Sequence, residues 1–177
     1  ALKKVVDFIH LHSPIHLGIQ LSHAGRKAST DLGWKPDRYI APDAPNGWQT
    51  FAPSAEPLTA GGTIPKELSR NEIKAIVRQF AQAAKRAVDI GFNLVELHAA
   101  HGYLMHQFLS PITNKRKDEY GGSLENRMRF VLEIFDAVKS ATPKDFPVCI
   151  RISATDWIEG GWDLDQSIEL AKQLEER

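Results

Sequence analysis

Apolar residues along the chain follow two patterns, short continuous runs and longer stretches with helical period. Three runs have the length and composition of strands: residues 15–21 (IHLGIQL), 92–98 (FNLVELH) and 148–153 (VCIRIS). Stretches in which apolar residues recur at helical spacing precede, separate and follow these runs. The sequence therefore predicts the order helix, strand, helix, strand, helix, strand, helix.

Two internal helices have clear boundary signals. Ser69 with Glu72 forms a capping box, and the apolar pattern after it holds until Gly91. Ser123 is the N-cap of the next helix, which closes before Pro143. These two helices connect the predicted strands.

The first and last helical patterns lack an outer boundary. The apolar face of the first begins at Leu2, with no N-cap before it. Asp163 and Gln166 resemble a helix start, but the pattern reaches Arg177 without a glycine or proline stop. Its predicted apolar face comprises Leu164, Ile168, Ala171 and Leu174. We interpret the chain as a piece of a longer protein.

Regular alternation of helices and strands predicts a parallel sheet with right-handed crossovers. An open doubly wound sheet and a closed (β/α)₈ barrel both fit. No G-x-G-x-x-G follows a strand, which disfavours a dinucleotide-binding open sheet. Polar residues collect at the C-terminal ends of the three strands, where barrel active sites form: Gln20 and His23, then His98 and His101, then Arg151 and Asp156. We predict an α/β fold, a partial TIM barrel of about three parallel strands with flanking helices, in one incomplete domain over residues 1–177.

Composition excludes several classes of partner. The 177 residues are 42% hydrophobic, and 22 basic residues balance 22 acidic ones, so no overall field recruits nucleic acid or an anionic membrane. The apolar runs are far shorter than the roughly 20 residues of a membrane span. Cys149 is the only cysteine, which excludes an internal disulfide, and its apolar surroundings predict that it is buried. We expect a cytoplasmic protein that binds neither nucleic acid nor membrane.

Residues 22–68 form a long connection rich in proline and aromatic residues. Trp34, Trp48 and Phe51 argue against disorder, because such residues pack against other parts of a fold. The prolines are Pro36, Pro42, Pro45, Pro53, Pro57 and Pro65. We predict an irregular, packed loop that acts as a lid or an interface.

Histidines concentrate at the end of the second strand. His98 and His101 could donate hydrogen bonds to a carbonyl oxygen, and Tyr103 could deliver a proton to a developing carbanion. Strand-end histidines can equally satisfy nearby backbone groups. A third interpretation adds His106 and Glu96 as zinc ligands, although the spacing matches no metal signature.

Two further side chains suit a planar, electron-accepting ligand. Gln20 ends an apolar strand, and its amide offers a donor and an acceptor to a heterocycle, unless it simply faces solvent. Arg151 lies within a strand and needs a ligand anion or a carboxylate as partner, since an unpaired guanidinium in a core is costly. Arg26 and Lys27 could bind phosphate, but adjacent loop cations are usually just solvated.

Three segments of the chain resemble the old yellow enzyme family of flavin-dependent ene-reductases. They are GIQLSHAGRKAS (18–29), ELHAAHGYLMHQFLSPITNKRKDEYGGSLENR (96–127) and IRISATDW (150–157). The pair His98 and His101 resembles the bacterial NADPH dehydrogenase subclass. The resemblance implies an FMN-containing barrel that takes hydride from NADPH and reduces the activated C=C bond of an enone or quinone-like substrate.

The resemblance also implies a role for each candidate residue. Gln20 and Arg151 would bind FMN, His98 and His101 would hold the substrate's carbonyl oxygen, and Tyr103 would protonate the α-carbon. No metal would be needed. A homo-oligomer is expected for the parent protein.

The chain shows fewer strands than a complete barrel needs. A barrel has eight strands in about 250 residues, so three strands make at most half of one. A catalytically silent half-barrel that acts by association therefore stays open as an alternative, and the open sheet edges favour it. A zinc-dependent hydrolase at the histidine cluster is the other alternative.

Overall fold

The computed structural model describes residues 1–35 and 39–177. The predicted helices and strands are present, and the structure adds one short helix before Ser123 and a short two-stranded parallel pair within the long connection. In chain order the elements are α1 (Leu2–His12), β1 (Gly18–Leu21), a 3-10 turn (Gly25–Lys27), β2 (Phe51–Ala52), β3 (Lys66–Glu67), α2 (Arg70–Asp89), β4 (Leu94–Ala99), α3 (Leu104–Leu109), α4 (Leu124–Ala141), β5 (Val148–Ile152) and α5 (Leu164–Glu175).

Strands β1, β4 and β5 form one parallel sheet in the order β1-β4-β5. Ile19 pairs in register with Val95, which pairs with Val148, and these residues face the helices together with the apolar residues at alternate positions. The opposite face of the sheet carries the polar residues of the three strands. The helix-facing side of the sheet is therefore the core side.

Helices α2 and α4 cover the apolar face of the sheet and pack against each other. Their inward residues are fully or nearly fully buried, as helical spacing predicts for a core-facing stripe. The most buried large side chains of this core are Trp162, Tyr120, Phe108, Phe130, Ile73, Leu97 and Leu104. One layer of helices on one face of a parallel sheet matches the predicted partial barrel.

The N-cap predictions are confirmed at each of the three sites. The Ser69 Oγ accepts from the Glu72 amide, and the Glu72 carboxylate accepts from the Ser69 amide in return. Ser123 and Asp163 each accept from the amide three residues later. Helix α2 ends before Gly91, whose φ of +100° is in a region that favours glycine.

Two helices differ from their predicted form. Leu164, Ile168 and Ala171 of α5 are exposed, and the buried side chains are instead those of Ser167 and Leu170. The sequence pattern alone also missed α3, because all six of its residues are buried and show no polar face.

In the long connection over residues 22–68 two arginines hold the described backbone, but Trp34 and Trp48 are exposed, so these two aromatic residues do not pack as expected. Arg116, whose side chain is 4% exposed, donates from Nη1 to the carbonyl oxygens of Pro53 (2.9 Å) and Leu68 (2.7 Å). Arg26 donates to the carbonyl oxygens at 56 and 57. Pro36 lies outside the described residues, and the role of the loop as a lid stays a prediction.

None of the helices in the described ranges 1–35 and 39–177 is long and apolar enough to cross a membrane.

Candidate functional site

Polar side chains of neighbouring strands meet on the sheet face that the helices do not cover. Gln20 of β1 lies opposite Glu96 of β4, and His98 of β4 lies opposite Arg151 of β5. Side chains two apart on a strand share a face, so this register places all four on one side of the sheet. Three of the predicted site residues are therefore close together, near the C-terminal ends of parallel strands.

Glu96 links the two residues predicted to bind the cofactor. Its Oε1 atom accepts from Gln20 Nε2 at 2.5 Å and from Arg151 Nε at 3.0 Å, and its Oε2 atom accepts from an Arg151 terminal nitrogen at 3.2 Å. The hydrogen bonds from Arg151 and then from Gln20 hold the pKa of Glu96 below its ordinary value. The carboxylate is therefore charged at neutral pH, and the predicted carboxylate partner of Arg151 is found.

His98, His101 and Tyr103 form a ring cluster beside this group. The His98 ring centroid lies 5.0 Å from that of His101 and 5.0 Å from that of Tyr103, which meets it edge-on at 88°. Burial, followed by the charge of His101, lowers the pKa of His98. His98 is therefore neutral near pH 7, with one ring nitrogen able to donate and the other able to accept.

His98 carries an unsatisfied polar atom. The residue is 5% exposed, yet its Nδ1 atom has no hydrogen-bond partner among residues 1–35 and 39–177. Buried polar atoms without a partner are uncommon and carry a desolvation cost. A ligand that accepts from or donates to Nδ1 would satisfy it.

A tight turn presents His101 and Tyr103. His101 has φ +56° and Gly102 has φ +68°, so two consecutive residues are in the left-handed region and redirect the chain from β4 into α3. The His101 amide donates to Ser153 Oγ at 2.9 Å, and Lys27 Nζ donates to the His101 carbonyl oxygen at 2.7 Å. Contacts from two other strand ends therefore fix the backbone of this turn.

His106 takes no part in the ring cluster. Its Nδ1 atom accepts from the Gly102 amide at 2.8 Å, and its Nε2 atom lies 2.9 Å from Asp156 Oδ1. The part of the chain that the structure describes contains no group of three or more His, Cys, Asp or Glu side chains arranged to hold a metal ion. The zinc interpretation gains no support.

The other candidates lie at the edge of the site or have structural partners. His23 Nδ1 accepts from the Gly25 amide at 3.0 Å, and burial lowers the pKa of His23. Arg26 binds carbonyl oxygens of the long loop rather than facing an open site. Cys149 is exposed, so the prediction that it is buried is wrong: alternation along β5 places it on the same uncovered face as Arg151.

Two residues have roles in the structure that the sequence pattern does not predict. Glu96 shares a strand face with His98, which the sequence shows, but its pairing with Gln20 and Arg151 across the sheet is a finding of the structure. Asp156 was noted only as a strand-end residue. Its pairing with His106 depends on a long-range approach for which the sequence has no signal.

Comparisons with known proteins identify the family of the chain. A family model described as the NADH:flavin oxidoreductase / NADH oxidase family matches residues 1–177. The chain is 45% identical over 186 residues to NADH:flavin oxidoreductase FG08077 of Gibberella zeae, and the match covers 98% of this chain and 45% of the relative. It is 44% identical over 174 residues to an NADPH dehydrogenase of Listeria monocytogenes serotype 4a, with 98% and 46% covered.

A solved structure supports the same conclusion. The complex of 2-naphthoyl-CoA reductase with 2-naphthoyl-CoA superposes with a TM-score of 0.81 and 33% identity, over 99% of this chain and 26% of that one. The chain spans about half the length of the curated relatives it matches.

The chain belongs to the NADH:flavin oxidoreductase / NADH oxidase family. The predicted membership of the old yellow enzyme family and the predicted partial barrel are confirmed. At the level of the family, flavin and a nicotinamide reductant are confirmed as cofactors.

The residues of the uncovered face fit a flavin. Gln20 offers an amide and Arg151 offers a cation. The Nδ1 atom of buried His98 has no hydrogen-bond partner in the described residues, and a ligand could supply one. These groups suit a planar ring with alternating donors and acceptors that gains negative charge on reduction.

Proposed function

We propose that the protein is an FMN-dependent oxidoreductase that takes hydride from NADPH and reduces the activated C=C bond of an α,β-unsaturated carbonyl compound. The observation that carries the proposal is the convergence of Gln20, His98 and Arg151 on one uncovered sheet face. The similarity to a reductase in complex with 2-naphthoyl-CoA and to an NADPH dehydrogenase supports a reduction with NADPH as the reductant.

In this proposal Gln20 and Arg151 bind the flavin. The Gln20 amide would hydrogen-bond the pyrimidine edge of a bound flavin, and the Arg151 guanidinium would stabilise negative charge on that ring. When bound, FMN supplies the hydride transfer from NADPH to the β-carbon of the substrate.

The histidines and the tyrosine act on the substrate. N–H groups of His98 and His101 hold the carbonyl oxygen, which draws electron density from the double bond and stabilises the charge that develops there. The hydroxyl of Tyr103 gives its proton to the α-carbon and recovers one from water. The alkene thereby gains one hydride and one proton, and NADPH becomes NADP⁺.

Anaerobic absorbance spectroscopy on the full-length protein that contains this chain tests the proposal. We expect a yellow protein whose flavin absorbance is bleached by NADPH and returns on addition of 2-cyclohexen-1-one, with cyclohexanone formed in equal amount. A colourless protein with stoichiometric zinc would contradict the proposal. Return of the colour with dioxygen but not with the enone would exclude alkene reduction while leaving a flavin oxidoreductase.

A second candidate is a half-barrel that acts by association. In the described part of the chain, the sheet order leaves one edge of β1 and one edge of β5 unpaired, and such edges template pairing with other strands. This candidate predicts a purified protein without flavin that forms defined oligomers in analytical ultracentrifugation. The predicted homo-oligomer of the parent protein also stays a proposal.

A further inference from the structure

We propose that Glu96 is a positioning residue of the flavin site, which orients the Gln20 amide and partly neutralises Arg151. The inference rests on the proposed function, because it takes Gln20 and Arg151 as the residues that bind the flavin. It adds a residue that makes no flavin contact of its own and acts through these two.

Strand geometry places the Glu96 carboxylate between its two partners. Val95 and Leu97 are fully buried against the helices, so Glu96 points to the opposite face, where its side chain is 24% exposed. Gln20 is its register partner on one side, and Arg151 reaches it from the strand on the other side. One carboxylate thus accepts three hydrogen bonds from two strands.

The carboxylate determines which end of the Gln20 amide remains for a ligand. An ionised carboxylate has only acceptors, so the Gln20 NH₂ group must face it. The structure shows this orientation, with 2.5 Å between Gln20 Nε2 and Glu96 Oε1. The Gln20 carbonyl oxygen is then left for an N–H donor of a ligand. The pyrimidine edge of a flavin has one N–H between two carbonyl groups, and it requires such an acceptor.

The same carboxylate restricts and weakens the Arg151 cation. Two of the guanidinium nitrogens donate to Glu96, at 3.0 and 3.2 Å, which fixes the plane of the group. The negative charge of Glu96 also offsets part of the positive charge of Arg151 near a reduced flavin. Glu96 should therefore lower the relative affinity of the site for reduced over oxidised flavin.

The variant Glu96→Gln, made in the full-length protein that contains this chain, tests the inference. We expect FMN affinity to fall by about ten-fold, as for the loss of one charge-assisted hydrogen bond. We expect the ratio of reduced to oxidised flavin affinity to rise by about ten-fold, which is about 30 mV toward positive potential for a two-electron couple. Fluorescence titration and spectroelectrochemistry measure the two quantities.

Glu125→Gln is the matched control. Glu125 also pairs with an arginine, Arg129, at 3.2 Å, but its side chain is 78% exposed on α4. The control should leave both flavin affinity and potential unchanged. A merely structural role for Glu96 would lower the melting temperature without moving the potential.

Two further variants separate failure of this inference from failure of the proposed function. If Gln20→Ala weakens FMN binding and Glu96→Gln changes neither affinity nor potential, Glu96 does not position the site. If neither Gln20→Ala nor Arg151→Lys affects FMN binding, the flavin lies elsewhere and the proposed function fails.

Should Glu96→Gln not fold, Glu96→Asp replaces it. The aspartate keeps the charge but is one methylene too short for both partners, so we expect weaker FMN binding with a smaller shift in potential. Wild-type FMN affinity in that variant would overturn the inference.

Discussion

The Nε2 atom of His106 lies 2.9 Å from Oδ1 of Asp156, which ties α3 to the loop that follows β5. His106 Nδ1 accepts from the Gly102 amide, so in the neutral ring the proton is on Nε2, which is close to the carboxylate but not aligned for a hydrogen bond by geometry. The other carboxylate oxygen accepts from Ser110 Oγ at 2.6 Å and from the Trp162 amide at 2.8 Å. Asp156 thereby stabilises the turn that presents the proposed catalytic residues.

Asp156→Asn should destabilise the protein. The amide NH₂ of asparagine would oppose one of the donors that the carboxylate now accepts, so we expect a loss of about 2 kcal/mol at pH 7. Urea denaturation measures the loss. Asp43→Asn, at an exposed turn, is the control and should change stability by less than about 0.5 kcal/mol.

The effect of Asp156→Asn should depend on pH. Burial acts to raise the pKa of Asp156, but the interactions with His106, Ser110 and the Trp162 amide outweigh it and lower the pKa. A lowered carboxyl pKa stabilises the fold above the unfolded value of about 3.9, and this is lost as the pH falls through the folded value. The difference between wild type and variant should shrink below about pH 4, and a constant difference would contradict this account.

Arg116→Lys should loosen the long loop. Arg116 donates to two loop carbonyl oxygens and, from Nε and Nη2, to Asp118 at 2.9 and 2.6 Å, a geometry that lysine cannot reproduce. Because the side chain is buried, we expect a loss of about 3 kcal/mol and faster proteolysis within residues 22–68. The control variant Arg78→Lys, on the exposed side of α2, should be cleaved by the protease at the wild-type rate.

The sheet and the main helices follow from local physical rules. Continuous apolar runs, ended by residues that break strands, predicted β4 and β5 to within two residues. Strands of a parallel sheet that pack against helices have such runs because most of their residues are shielded from water. The Ser69 cap needs only neighbouring residues, and the structure reproduces it. The place of Gln20, His98 and Arg151 at the C-terminal ends of parallel strands then predicted that they lie near one another.

The two errors about burial have different causes, tertiary packing in one case and an overlooked strand alternation in the other. Leu164 and Ile168 have helical spacing but are exposed in the described structure, while Ser167 is buried because it accepts from Trp162 Nε1 at 2.7 Å. The apolar neighbours of Cys149 suggested a core position, yet strand alternation places it on the polar face. For α5 the sequence has no signal of which face packs, whereas for Cys149 the period-two alternation with Arg151 is such a signal.

Replacing His98 and His101 together by alanine should abolish tight binding of phenol at the proposed carbonyl site. Imidazole N–H groups donate to a phenolate oxygen as they would to a carbonyl oxygen, and loss of two such bonds should weaken affinity at least about 100-fold. Flavin spectral titration with phenol measures the affinity. The control variant His16→Ala, at an exposed position before β1, should bind phenol with wild-type affinity. Undiminished affinity in the double variant would mean that the carbonyl pocket lies elsewhere.

Tyr103→Phe should separate the two half-reactions. Phenylalanine keeps the edge-on packing against His98, at 5.0 Å between ring centroids, and removes only the proton-donating hydroxyl. We expect NADPH to reduce the flavin at close to the wild-type rate, whereas alkene reduction should slow by about 10² to 10⁴. Stopped-flow absorbance resolves both rates.

Tyr120→Phe provides the matched control for Tyr103→Phe. Tyr120 is buried in the core, and its hydroxyl donates to Glu133 at 3.1 Å, remote from the proposed site. Its loss should lower stability by about 1 kcal/mol while leaving both half-reactions unchanged. If Tyr103→Phe slowed both half-reactions equally, its hydroxyl would not be the proton donor, because flavin reduction by NADPH requires no proton at the substrate's α-carbon.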